Sequence, residues 1–343
     1  MTPHAEAVRA AAHELTRAAG GLDVLLDRIG DAGCVLLGES THGTSEFYAL
    51  RAHITRRLVE EKGFRAVAVE ADWPDAYRAG CWARGAGDDP DAAAALGDLI
   101  RFPRWVWRNR EVEAFLRWLR EHNAAGGEVG FYGLDLPSPG AGPPCETQVV
   151  EQLVELPRRA AQLLPRDRHS PAAAHFFAEQ NARLVRNAER HHRAMFRVGP
   201  ESWNLRETHM AETLGALRSH LARDGMPGKV VVWAHNSHVG DARATEQAEL
   251  GQLTLGQLAR EAFGGEAVLV GLSTFSGTVT AASEWGGPAT ASRVGPARED
   301  SSEALLHDTR LANFLLVMGE DERAAAALTS TRLQRAIGVI YRP

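Results

Sequence analysis

The chain has 343 residues, 44% hydrophobic and 24% charged, which is enough apolar sequence for a large buried core. Its 38 basic and 44 acidic residues give a formal charge of −6 without a basic run, which argues against a nucleic-acid partner. No segment approaches the roughly 20 apolar residues of a membrane span, and the first residues lack a signal-peptide core. We therefore expect a cytoplasmic protein with neither a nucleic-acid nor a membrane partner.

The first predicted elements lead to a polar turn. Residues 4–30 have helical composition and predict an N-terminal helix with a short second helix around Leu22–Ile29. Cys34–Leu37 is an unbroken apolar run, as in strands buried on both faces of a parallel sheet. An amphipathic helix follows the turn. Glu39 and His42, which belong to this turn, are therefore expected at the carboxyl end of a strand, where open α/β sheets bind ligands.

Four more apolar runs predict buried strands of the same sheet. They are Arg65–Glu70, Glu128–Asp135, Gly228–His235 and Ala267–Leu272. Amphipathic patterns predict helices at Glu111–His122 and Leu253–Phe263, and residues 85–98 predict a surface connection with a short helix. This alternation predicts an α/β fold, with a mostly parallel sheet flanked by helices.

Residues 137–144, rich in Pro and Gly, form the clearest break in the pattern. Residues 146–225 have only helical composition and many charges, which predicts an all-helical insert of three or four helices between two strands. We expect one domain over residues 1–343 that contains this insert.

The last part of the chain carries weaker patterns. A polar, Gly-rich loop is predicted over residues 273–298, and a short helix begins at Ser302–Leu306. Phe314–Met318 and Ile337–Tyr341 are short apolar runs that predict two further strands.

Ionisable side chains follow four of the predicted strands. They are Glu39 and His42, Glu70 and Asp72, Asp135, and His235 and His238. If the strands are parallel neighbours, these groups meet in one cleft. A single carboxylate here is often only a helix cap, which is the simpler interpretation of Asp72 and Asp135. Burying several imidazoles and glutamates together is costly, however, unless they perform chemistry or bind a metal.

Two chemistries remain open for this cleft, because the sequence has no Gly-x-Ser-x-Gly elbow, zinc-protease helix, P-loop or dinucleotide-binding glycine motif. In the first, His42 takes a proton from water while Glu39 or Glu70 orients it, and His235 or His238 polarises the substrate carbonyl or protonates the leaving group. In the second, His235 and His238 bind zinc or manganese together with Glu39 or Glu70.

An aromatic and basic segment at residues 101–110 has two interpretations. Its Trp and Arg side chains can line a binding groove, or they can pack on the core with the Arg stems over the rings. Candidates for substrate binding are Asp72, Trp105, Arg108, Asp135 and Asn236.

Six ordered motifs resemble the erythromycin esterase family from about residue 30 onwards. They are Gly38-Glu-Ser-Thr-His-Gly43, Val69-Glu-Ala-Asp-Trp73, Arg101-Phe-Pro-Arg-Trp-Val-Trp-Arg108, Phe131-Tyr-Gly-Leu-Asp135, Trp203-Asn-Leu-Arg206 with Met210, and Trp233-Ala-His-Asn-Ser-His-Val239. The resemblance implies hydrolysis of a macrolide lactone or another ester by activated water, without a covalent serine intermediate and without a cofactor. It also implies that His42 is the general base. By the same resemblance, the other active-site residues are Glu39, Arg51, Glu70, His235 and His238.

The family includes many members that do not inactivate macrolides, so the resemblance indicates a reaction class more than a substrate. The expected ligand is a small-molecule ester, lactone or natural product. The alternatives are a biosynthetic tailoring enzyme (a lyase, dehydratase or ester-forming transferase), a metal-dependent hydrolase, and a protein that binds a small molecule or haem without turnover.

Overall fold

A computed structural model of the chain describes residues 1–15, 19–100, 103–137, 171–222 and 228–342. The α-helices are α1 Pro3–Ala11, α2 Asp23–Ile29, α3 Ser45–Lys62, α4 Trp73–Ala83, α5 Ala92–Ala95, α6 Arg110–Ala124, α7 Pro171–Met195, α8 Glu201–Leu221, α9 Asn236–Val239, α10 Leu255–Phe263, α11 Ser302–Asp308 and α12 Glu322–Leu328. The strands are β1 Ala12–Glu14, β2 Cys34–Leu37, β3 Ala66–Asp72, β4 Gly130–Asp135, β5 Val230–Trp233, β6 Ala267–Val270, β7 Gly277–Ala281, β8 Thr290–Val294 and β9 Phe314–Leu316.

The centre of the fold is a five-stranded sheet in the order β4-β3-β5-β2-β6. Every neighbouring pair in this sheet is parallel, which confirms the predicted parallel α/β fold. All residues of β2, β4 and β5 are buried, as their unbroken apolar runs predict.

Two apolar cores cover the two faces of this sheet. Alternate residues of one strand enter different cores, so that Val35 belongs to one and Leu36 to the other. Helices α3 and α6 supply the first core, and α7, α8 and α10 supply the second. Cys34 is buried in the second core, and burial raises the pKa of its thiol to about 12. This supports a packing role for Cys34 and argues against a nucleophilic one.

Residues outside the central sheet differ from several predictions. The predicted N-terminal helix is shorter, because α1 ends at Ala11 and β1 then pairs with β9. The predicted loop over 273–298 contains the antiparallel β7–β8 hairpin, whose inward residues Val279 and Val294 form a small separate core. The strand predicted at Ile337–Tyr341 is absent from the described structure, where this segment makes only isolated bridges.

Helices α7 and α8 form the described part of the predicted helical insert, while residues 138–170 and 223–227 lie outside the described residues. The two helices pack against each other, and α8 also contacts β4. With 25 residues α7 is long enough to cross a membrane, but it carries charges along its length. No helix in the described ranges is both long and apolar enough to do so. The single-domain organisation stays a prediction.

Candidate active site

Four neighbouring strands of the sheet end in ionisable residues. Strands β4, β3, β5 and β2 lie side by side, and their carboxyl ends deliver Asp135, Glu70, His235 and Glu39 to one edge. Side-chain contacts described below join these residues into two clusters. We call them the His42 cluster (Glu39, His42, Arg51) and the His238 cluster (Glu70, Asp135, Arg206, Glu207, His238).

In the His42 cluster a buried carboxylate connects an imidazole to a guanidinium. Glu39 Oε1 lies 3.0 Å from His42 Nδ1, and Glu39 Oε2 lies 2.8 Å from Arg51 Nη2. The Arg51 guanidinium stacks on Tyr48 and Trp233 at 4.5 and 5.1 Å and is fully buried, although its sequence position alone indicates a surface residue. Because the carboxylate engages Nδ1 of His42, the lone pair of Nε2 is available to accept a proton.

The turn that carries this cluster depends on two close approaches to glycine, one by backbone and one by a side chain. A Cβ at Gly43 would lie 1.8 Å from the carbonyl oxygen of Thr280, and the Gly43 carbonyl accepts a 2.9 Å hydrogen bond from the Thr280 N–H. A Cβ at Gly38 would lie 2.1 Å from Asn236 Oδ1. The Tyr48 hydroxyl donates to the His42 carbonyl at 2.8 Å. Glycine at 38 and 43 therefore lets strand ends and hairpin close around the turn.

The His238 cluster has Arg206 of α8 at its centre. Arg206 donates to both oxygens of Asp135, at 2.8 and 2.5 Å, and to Glu70 Oε1 at 2.8 Å. The other Glu70 oxygen accepts the backbone N–H of His235 at 2.8 Å. One guanidinium thus fixes the ends of β3 and β4, and Glu70 extends this connection to the end of β5.

The His238 ring lies between two carboxylates. Its Nδ1 is 2.5 Å from Glu207 Oε1, and its Nε2 is 3.2 Å from Glu70 Oε1 and 3.2 Å from Arg206 Nη1. Burial disfavours the charged ring, but Glu207 and Glu70 outweigh burial and raise the pKa of His238 to about 10. Burial likewise opposes ionisation of Glu70, yet His238, His42 and Arg206 hold its pKa well below the usual range. These shifts favour an imidazolium at His238 and a carboxylate at Glu70, whereas the contact of Arg206 Nη1 with Nε2 favours a lone pair on that nitrogen.

The pKa of His235 is shifted in the opposite direction. Its Nδ1 accepts the Ser237 N–H at 3.2 Å, which places the ring proton on Nε2. Nε2 is buried and makes no well-aligned hydrogen bond to a described residue, although the backbone of Ser40 interacts with the ring and favours its protonated form. Burial lowers the pKa of His235 to about 3, with a contribution from His42, whose ring centroid is 4.9 Å away. His235 thus offers a neutral N–H donor next to His42.

The five predicted substrate-binding residues lie in different places. Asp135 is in the His238 cluster, and Asn236 donates to the Leu272 carbonyl at 2.9 Å, which links β5 to the end of β6. Asp72 occupies the N-cap position of α4, as the capping interpretation expects, but its side chain makes no capping hydrogen bond to this helix. Trp105 packs partly buried on the core, and Arg108 is exposed. Their roles in substrate binding stay predictions.

The candidate-residue prediction missed the contribution of α8. Arg206 and Glu207 are consecutive residues of this helix, and Trp203, one turn earlier, stacks on His238 with centroids 4.9 Å apart. The only sequence signal for them was the motif Trp203-Asn-Leu-Arg206. Trp107 was also missed, and its indole N–H donates to the Glu70 carbonyl at 2.9 Å.

The described residues contain no group of three or more His, Cys, Asp or Glu side chains arranged to hold a metal ion. The potential ligands His238 and Glu70 bind each other and Arg206. The two histidines proposed as metal ligands therefore have different partners, and their pKa values are shifted in opposite directions.

Comparisons with known proteins agree with this fold. The family model for erythromycin esterase matches residues 59–143 and 138–343, a range that includes the His238 cluster and begins after the His42 cluster. Erythromycin esterase type II from Escherichia coli is 33% identical over 113 residues, which cover 33% of this chain and 25% of that protein. The alignment therefore spans a quarter of the relative's length.

Solved structures share the overall architecture. A succinoglycan biosynthesis protein superimposes with a TM-score of 0.74 at 20% identity, over 98% of this chain and 91% of that protein. A Bacillus cereus protein gives 0.67 at 20% identity, over 92% and 85%. A mutant of the erythromycin esterase EreC in its open conformation gives 0.60 at 19%, over 85% and 84%. Together with the family match over most of its length, this likeness in fold shows that the chain belongs to the erythromycin esterase family.

Proposed function

We propose that this protein hydrolyses a carboxylic ester or lactone with water that His42 activates, and that no serine ester forms on the enzyme. The observation that carries the proposal is the His42 cluster, in which the carboxylate of Glu39 orients the ring through Nδ1 at 3.0 Å and leaves Nε2 as the base. Family membership supports the ester-hydrolase class. Arg51 holds the carboxylate in place from the other side.

The reaction then runs in two steps. His42 Nε2 takes a proton from water as the water oxygen bonds to the carbonyl carbon, and Glu39 stabilises the imidazolium that forms. The C–O bond to the leaving alcohol breaks next, and the proton on His42 passes to the alkoxide, which gives an acid and an alcohol. Positioned acid–base catalysis of this kind is typically worth ~10²–10⁴-fold in rate.

His235 is the proposed donor to the carbonyl oxygen. It carries a buried N–H that makes no well-aligned hydrogen bond to the described residues, it is neutral, and it lies beside the base. A substrate oxygen would replace its interaction with the Ser40 backbone. A preorganised donor of this kind stabilises the negative charge that develops on oxygen. His238 is less suited to this role, because both of its nitrogens face charged protein groups.

The substrate proposed first is a macrolide lactone, after the relatives named erythromycin esterase. We propose that no cofactor takes part, so activity should survive exhaustive chelation of metal ions. Loss of activity on chelation, restored by zinc or manganese, would instead support the metal-dependent alternative.

The test is a panel of macrolides and simple esters incubated in ¹⁸O-water and analysed by mass spectrometry. We expect one labelled oxygen in the acid product, no acyl adduct on the intact protein, and loss of the product with His42→Asn. His53→Asn is the matched control, because His53 is an exposed residue of α3. Full turnover by a folded His42→Asn protein would refute the proposal. An unlabelled elimination or condensation product would support a tailoring enzyme instead.

A further inference from the structure

Glu207 is a fully buried carboxylate that the proposed reaction does not use. Its Oε1 lies 2.5 Å from His238 Nδ1, and its Oε2 accepts the N–H of Leu255, the first residue of α10, at 2.8 Å. Both oxygens are therefore engaged, so the carboxylate is fixed between α8, α9 and α10. A buried charge is costly unless it is paired, and His238 is its partner.

The groups around His238 determine what Glu207 does. Glu207 and Arg206 face the ring from α8, Glu70 faces it from the end of β3, and Trp203 stacks on its plane. A ring with a carboxylate at each nitrogen favours a proton on both nitrogens. Arg206 opposes this, because its Nη1 lies 3.2 Å from Nε2. Without the charge of Glu207, Glu70 would be the one carboxylate left in contact with the ring among the described residues, and Arg206, which Asp135 also pairs, would still lie beside Nε2.

We propose that Glu207 is a positioning residue that keeps His238 doubly protonated, so that His238 holds the Glu70 carboxylate in place beside the catalytic turn. Glu70 in turn accepts the backbone N–H of His235 at 2.8 Å, so the contacts run from Glu207 through His238 and Glu70 to the proposed carbonyl donor. The value of this arrangement for hydrolysis rests on the proposed function, whereas the protonation state of His238 does not.

A purely structural role for Glu207 predicts a different result. If the carboxylate only satisfied the Leu255 N–H at the start of α10, its replacement would lower the free energy of unfolding and leave the protonation of His238 unchanged. The two roles are therefore separated by a direct observation of the His238 ring.

The experiment is NMR of the full chain labelled with ¹⁵N-histidine, with the His238 signals assigned from a His238→Asn sample. In the wild-type protein at pH 8 we expect both ring nitrogens of His238 to be protonated. In Glu207→Gln the apparent pKa of His238 should fall by about 1–3 units, the shift expected from loss of an adjacent opposite charge. Glu207→Asp, which retains the charge, should retain the protonated ring. Glu212→Gln, an exposed residue of the same helix, is the matched control.

A neutral His238 ring in the wild-type protein at pH 8 would overturn the proposal without any variant. An unchanged ring in folded Glu207→Gln would overturn it as well. For the hydrolytic role, the alkaline limb of kcat against pH should move to lower pH in Glu207→Gln, and an unmoved limb would refute that role. If no substrate is turned over, the proposed function fails, while the NMR result still decides the protonation of His238.

Discussion

The two clusters of the site differ in what they leave unbonded. The His42 cluster comes from one turn and the following helix, and His42 Nε2 makes no hydrogen bond to the described residues. The His238 cluster combines residues of two strand ends, α8 and α9, and its charged groups bind one another. Charged groups that are paired with one another stabilise the structure, whereas an unbonded Nε2 lone pair is available to accept a proton. The difference teaches that the first cluster is suited to the reaction and the second to its support.

The largest expected effect comes from His42→Asn, which should lower turnover strongly and stability little. We expect turnover to fall ~10²–10⁴-fold, because the base is lost. The free energy of unfolding should change by less than about 1 kcal/mol, because the side chain is partly exposed and makes one hydrogen bond. Steady-state kinetics and urea denaturation measure the two quantities. If the loss in unfolding free energy equalled the increase in activation free energy, the two clusters would not differ in the way described.

Arg206→Met should act mainly on stability. It leaves Asp135 and Glu70 without their shared cation, and breaking such a buried pair typically costs about 3–5 kcal/mol. Thermal and urea unfolding measure this loss. The double variant Arg206→Met with Asp135→Asn should recover part of it, because one uncompensated charge is removed. A change below about 1 kcal/mol would show that the cluster does not hold the strand ends together.

Stability should pass through a maximum near pH 6.5. His191, His209 and His235 have folded pKa values lowered by burial to about 4, 4 and 3, so only the unfolded chain takes up their protons as the pH falls below 6.5. His238 has a folded pKa raised to about 10, so its contribution is complete below 6.5 and is lost as the pH rises towards 10. Each group contributes a slope of roughly 1 kcal/mol per pH unit.

Urea denaturation between pH 5 and 9 tests this maximum. His209→Asn should flatten the acid limb and leave the alkaline limb unchanged, since His209 is one of the three buried neutral rings. His53→Asn is the control and should change neither limb. A stability that rises steadily from pH 6.5 to 9 would contradict the charge state assigned to His238.

The smallest effect is expected from Tyr48→Phe. Loss of the 2.8 Å hydrogen bond to the His42 carbonyl should cost about 1 kcal/mol of stability. Turnover should fall only a few-fold, because the Glu39 contact that orients the ring remains. Kinetics and denaturation check both values. A fall in turnover above a hundred-fold would show that the Tyr48 hydrogen bond to the His42 backbone, and not Glu39, orients the ring.

The same contrast explains what the sequence could predict. Glu39 and His42 stand directly after an apolar run, so strand periodicity and one turn were sufficient to place them. The order of strands was not needed, because any parallel arrangement brings the carboxyl ends to one edge. Arg206 and Glu207 are charged residues of a helix with charges on many sides, and periodicity cannot distinguish a buried charge there from a solvated one. Their partners lie between 31 and 136 positions away along the chain.

The β7–β8 hairpin was missed for a related reason. Its sequence is rich in Gly, Ser and Thr, which indicates a loop, and only Val279, Ala281 and Val294 mark an apolar face. Tertiary contacts decide such weak strands. The close approach of Thr280 to Gly43 is one of these contacts, and it requires knowledge of both backbones.

The turn that carries Glu39 and His42 also has a partner from a distant part of the described chain. The N–H of Ile337 donates to the Ser40 carbonyl at 2.7 Å, Thr41 forms a bridge with Ile337, and the same segment pairs with Ala282 of the hairpin region. During synthesis the turn therefore emerges long before this partner does. A nascent chain can form the parallel sheet and still lack a finished turn. Proteolytic cleavage between residues 329 and 336 would likewise leave the strands of the sheet intact and weaken the contacts of Ile337 with the turn.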